Sequence, residues 1–158
     1  MQTISLVFYW IAYILVGVSI QKIFPGVDAL LPGFLIALQS NNKPVVFWLF
    51  VVFTLIQEGA GNLHFGASIL WYGGHIVLYK VCERLVVPTG LAGALLFAVM
   101  SGVYGLFVIG FMVGIENISI EYVTALRECL IQTLFIPILW LFFSGLRHRM
   151  VKQYVAVD

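Results

Sequence analysis

Charge is scarce in this chain. Asp, Glu, Lys and Arg together make up 9% of its 158 residues, where a soluble domain carries about a quarter. No polar stretch exceeds roughly a dozen residues, so no segment has the composition of a separate soluble domain. The formal net charge is +1. That balance excludes a broad electrostatic attraction to nucleic acid, and no nucleic-acid partner is expected.

Cysteine is nearly as rare, with Cys82 and Cys129 as the two examples. Each stands at the margin of an apolar run, where cysteine behaves as a small hydrophobe. The topology derived below places them at opposite membrane faces, so no disulfide is expected. The signatures of chemistry are missing too. There is no serine in a nucleophile elbow, no phosphate loop, no paired-cysteine metal site and no haem-ligation motif. Glu58, His64 and His75 form the one set suited to holding a metal or moving protons, and their spacings match no ligand pattern on one helix face. No catalysis, metal or cofactor is therefore expected. The N-terminus lacks a basic n-region, and its apolar run is longer than the core of a typical signal peptide, so it reads as a retained span.

What the chain does have is apolar surface. It is 62% hydrophobic, with 13 Phe and 15 Gly and a mean hydropathy of +1.06. This is the composition of an integral membrane protein. Successive apolar runs predict an all-α fold, one compact bundle of about six transmembrane helices in a single domain. The spans are expected near residues 3–20, 29–38, 44–57, 67–81, 88–115 and 129–146. The second run is short and carries Pro32 near its start, so a partial or broken span is expected there. Residues 24–28 read as a turn, and Pro44 suits the first turn of the third helix. The tract of residues 85–115 exceeds one crossing, so its start should tilt or fold back at the interface. Pro137 is expected to interrupt the last span.

The chain is organised around one polar, glycine-rich break, Gln57-Glu58-Gly59-Ala60-Gly61-Asn62-Leu63-His64-Phe65-Gly66. Glycines at 59, 61 and 66 admit backbone conformations closed to other residues. Glu58, Asn62 and His64 stand there at the end of an apolar run, where polar groups are expensive. Two readings follow from the residues: a solvated turn between helices, or a recognition or coupling site.

Two helix faces stand out. Ser68, Tyr72, His75 and Tyr79 recur at helical spacing in the fourth span, a polar face that should turn inward or toward a partner. Ala94, Ala98, Ser101, Gly102 and Gly105 form a small-residue stripe in the fifth, followed by Gly110 and Gly114. Such a stripe lets helix backbones approach closely, and packing within the bundle is its first explanation.

Orientation follows from the cations. Six crossings put both termini on one side. With the C-terminus cytoplasmic, Lys43, Lys80, Arg84, Arg147, Arg149 and Lys152 lie inside, whereas Lys22 and Arg127 lie outside. The basic run directly after the last span is the strongest single signal, and it favours both termini in the cytoplasm. The glycine-rich break then faces outward.

This order of features resembles the MreD family of rod-shape-determining membrane proteins. The resemblance rests on the Pro-containing turn after the first span, on Glu58 and Gly66 flanking Gly59 and Gly61, and on Pro137 followed by Arg147-His148-Arg149 and Lys152. The family's acid is usually Asp with Gly four residues earlier, where this chain has Glu58 and Thr54. The resemblance implies a non-enzymatic protein of the bacterial inner membrane, acting in cell shape and peptidoglycan synthesis. It implies an MreC-like single-span periplasmic partner, other membrane proteins of the elongation complex, and the lipid bilayer itself. MreD-like proteins are also similar in fold to the substrate-binding subunits of energy-coupling-factor transporters, which implies an alternative role in capturing a vitamin-type small molecule. In that role Glu58, Asn62, His64, Tyr72 and His75 would line an outward-facing pocket.

Overall fold

A computed structural model describes residues 2–24, 26–59, 66–85, 91–116 and 122–155. Among them every regular element is a helix: α1 (Gln2–Ile23), α2 (Leu31–Gln39), α3 (Lys43–Gly59), α4 (Ala67–Leu85), α5 (Leu91–Glu116) and α6 (Tyr122–Val155). Three of them are long and apolar enough to cross a membrane, over Leu6–Ile23, Leu91–Ile115 and Tyr122–Gly145. The expected interruption at Pro137 is absent. Proline's fixed φ is compatible with a helix, and its missing N–H removes a single rung of the ladder. Packing around the buried Pro137 keeps α6 continuous for 34 residues. Arg127 and Glu128, expected ahead of the last span, belong to its first turns, and the basic run of residues 147–152 continues the helix.

The expected short second span is α2. Its nine residues reach about 14 Å at 1.5 Å per residue, half the thickness of a hydrocarbon core. Every residue from Leu31 to Ala37 is buried. Such a half-helix is tolerated at membrane depth because protein, and not lipid, surrounds it. It packs on α3, α4 and α6, while α5 packs on α4 and α6. Phe34 of α2 lies against Phe53 of α3 and Tyr72 of α4, with ring centroids 6.4 and 5.4 Å apart. α1 joins through Tyr13, whose hydroxyl donates to the Ala29 carbonyl at 2.7 Å and accepts the Gly33 N–H at 2.6 Å. Glycine is required at 33 because a Cβ there would overlap the Tyr13 ring.

The surface is the inverse of a soluble protein's. Phe8, Leu15, Leu55, Val77, Val103 and Leu134 are exposed, whereas Gln57, Ser68, His75, Ser101 and Gln132 are buried. A bilayer solvates the first set, and hydrogen bonds inside the bundle satisfy most of the second.

Candidate functional site

The glycine-rich break is partly described. Glu58 ends α3 as a half-buried side chain, and its Oε1 accepts the Gly66 N–H at 2.9 Å. Gly66 has φ +84°, the left-handed region, and a Cβ there would meet nothing within 4 Å. Its requirement for glycine is conformational and not steric. Gly59 is exposed. Gly61, Asn62 and His64 lie outside the described residues, as do residues 86–90, where the fifth tract was expected to tilt or fold back.

The polar face of α4 lies inside the bundle, with Ser68, Tyr72, His75 and Tyr79 all buried. His75 is held at both ring nitrogens. Nδ1 lies 2.7 Å from the Trp71 carbonyl, and Nε2 lies 2.7 Å from Ser101 Oγ. A carbonyl only accepts, so Nδ1 carries the proton, and in the neutral ring Nε2 accepts from the serine. This bond crosses from α4 to α5 at the small-residue stripe. Ala94, Ala98, Ser101, Gly102 and Gly105 are buried too. A Cβ on Gly102 would run into Thr133 Oγ1, and one on Gly105 would lie 3.1 Å from Cys129 Sγ, so this part of the stripe seats α6. Gly110 and Gly114 do not share it; both are exposed, with open space where a Cβ would go.

The densest polar cluster gathers around Asp28, which the sequence analysis read as a turn residue. Its Oδ1 accepts from Gln21 Nε2 at 3.1 Å, Gln57 Nε2 at 3.0 Å, and the N–H groups of Leu30 and Leu31 at 2.9 and 3.2 Å. Oδ2 accepts the Trp71 indole N–H at 2.9 Å. The Asp28 main chain is held by Gln132, whose Oε1 accepts its N–H at 2.6 Å and whose Nε2 donates to its carbonyl at 3.2 Å. One residue thus ties the ends of α1 and α3 to the starts of α2 and α4 and to the third turn of α6. Burial pushes the Asp28 carboxyl above its ordinary value, against the opposing pull of hydrogen bonds from Trp71, Tyr72 and the α2 N-terminus. A sequence signal for part of this did exist. Asp28 stands ahead of a short apolar run with Pro32 at its start, which is the composition of a helix N-terminus.

Asp28 borders a cavity of about 570 Å³, within the range of small-molecule sites. Gln21, Gln57, Trp71, Glu128 and Gln132 line it with Asp28, alongside Val27, Val108 and Ile109, and Lys22 and Gly26 bring it to the surface. Ser101, Gly102 and Gly105 complete one wall. Of the residues expected to line a pocket, neither Glu58, Tyr72 nor His75 does so directly. Tyr72 stands behind Gln57, whose Nε2 is 3.3 Å from its hydroxyl, and His75 stands behind Ser101. The described residues bring together no group of three or more metal-ligating side chains. No protein-family model matches the chain, and neither a curated protein nor a solved structure matches it.

Proposed function

We propose that this chain is a non-enzymatic assembly partner in the bacterial inner membrane. It belongs to the cell-elongation machinery and binds an MreC-like single-span periplasmic protein. In this reading it crosses the membrane six times with both termini cytoplasmic, consistent with the distribution of its cations. The observation that carries the proposal is the bond from the Gly66 N–H to Glu58 Oε1. The acid and the second glycine of the MreD-like pattern meet across the break, and Gly66 takes a positive φ that other residues resist. Such a closure sets the end of α3 against the residue that precedes α4, a geometry that a partner can recognise without any turnover. A pairwise two-hybrid assay in a bacterial membrane tests this. The chain should interact with a single-span coiled-coil periplasmic protein encoded beside it, and the absence of interaction with any elongation-complex component would refute it.

The cavity beside Asp28 favours a second reading, as the substrate-binding membrane subunit of a small-molecule transporter. Its volume and mixed lining suit a ligand, and it lies at the end of the bundle that the cation count turns outward. Co-isolation with an ATPase pair would distinguish this reading from the first.

A further inference from the structure

The amide and indole groups that line the cavity turn toward Asp28. Gln21, Gln57 and Trp71 each donate to the Asp28 carboxylate, and Gln132 donates to the Asp28 carbonyl. The wall also leaves acceptor capacity open. Glu128 is half-buried, and among the described residues its carboxylate has neither a hydrogen bond nor an ion pair. Its side chain lies across Gly26, where an added Cβ would sit 3.0 Å from Cδ and 3.3 Å from Oε1. Gly26, with φ +89°, keeps that space free.

The charges in the lining do not balance either. Asp28 and Glu128 face one cation, Lys22, which is exposed. Asp28 is held by uncharged donors, and among the described residues no ion pair reaches it. An anionic ligand would have two carboxylates opposing it and Lys22 alone in its favour. A neutral ligand could donate to Glu128 but would leave its charge unanswered. An ammonium group supplies the missing charge and the missing donors together, and Val27, Val108, Ile109 and the Trp71 ring offer apolar surface to the body that carries it.

We propose that the cavity binds a compact amphiphilic organic cation, a protonated amine on an apolar or aromatic body, with Glu128 as its principal counter-charge. This rests on the small-molecule reading of the cavity. The test is calorimetric titration of the full chain in lipid nanodiscs, corrected for empty discs, with three probes of one shape: benzylammonium, benzyl alcohol and benzoate. Benzylammonium should bind saturably and best. Glu128→Gln should weaken it by about tenfold, the scale of one charge-assisted hydrogen bond. Lys22→Gln, at an exposed position, should tighten it by removing a competing cation, and this variant carries the test if Glu128→Gln does not fold. Glu83→Gln, whose partner is Lys80 on the surface, should change nothing. Benzyl alcohol or benzoate binding as well as benzylammonium would overturn the assignment of a cation while leaving a small-molecule cavity in place. If none of the three saturates, the small-molecule reading falls and this proposal falls with it.

Discussion

Gln132 lies flat against the peptide of Asp28, accepting its N–H at 2.6 Å and donating to its carbonyl at 3.2 Å across 104 positions of sequence. The pair joins α6 to the connection between α1 and α2. Gln132→Leu would leave both main-chain groups without their partner in a part-buried site. The expected loss is about 1–3 kcal/mol, read as a lower melting temperature in detergent. Leu130→Ala, at a position on the same helix that is exposed, should shift melting far less. Equal shifts for the two variants would show that the amide pair does not hold the bundle.

The Asp28 carboxyl supplies a pH dependence of definite sign. Burial raises its folded-state value, so the folded chain holds this proton more tightly than the unfolded one. The associated stability is full below the unfolded carboxyl value, near ~3.9, and is lost as pH rises through the higher folded value. Asp28→Asn carries no such proton. It is also less stable, because an amide offers its one oxygen either to the donors at Oδ1 or to Trp71, and not to both. The melting-temperature advantage of the natural chain over Asp28→Asn should therefore narrow as pH rises from about 4. An advantage that widens over that range would mean that the carboxyl is depressed and not raised.

The long apolar helices α1 and α5 and the short α2 were legible in the sequence because each rests on local composition. The Asp28 cluster was not. Its partners Gln21, Gln57, Trp71 and Gln132 stand 7, 29, 43 and 104 positions away, and no periodicity connects residues on four different helices. Pro137 misled because an interior proline breaks or kinks a helix in water, whereas in membrane helices neighbouring groups re-satisfy the freed backbone. In α6 the residue is buried among neighbours that hold the helix together. The glycine stripe was legible as far as Gly105. Gly110 and Gly114 continue the composition but not the packing, since only a partner helix gives a small residue its use.

That distinction yields a paired substitution. Gly102→Leu would drive a side chain into Thr133 and force α5 and α6 apart. Overpacking of this kind costs about 1–3 kcal/mol or more. Gly110→Leu enters open space and should leave melting and detergent-solubilised yield nearly unchanged. A Gly102 variant as stable as the Gly110 variant would remove the stripe from the helix interface.

Topology is tested by reporter fusions. With both termini cytoplasmic, a fusion after Asp158 should report the cytoplasm and an insertion in the 58–66 connection should report the opposite side. Both reporters on the same side, or a C-terminal tail outside, would contradict the six-crossing arrangement.

The central claim is that the Glu58–Gly66 closure presents a surface for a membrane partner. Its most direct test is affinity purification of the full chain from its native host, in parallel with Glu58→Gln, followed by mass spectrometry of the captured proteins. Glu58→Gln keeps an acceptor for the Gly66 N–H but removes its charge, so the variant should insert normally but retain less partner. The account predicts a single-span periplasmic protein of the wall-synthesis machinery with the natural chain and its depletion with Glu58→Gln. Recovery of ATPase subunits with no wall-synthesis partner, and no difference between the two chains, would contradict it.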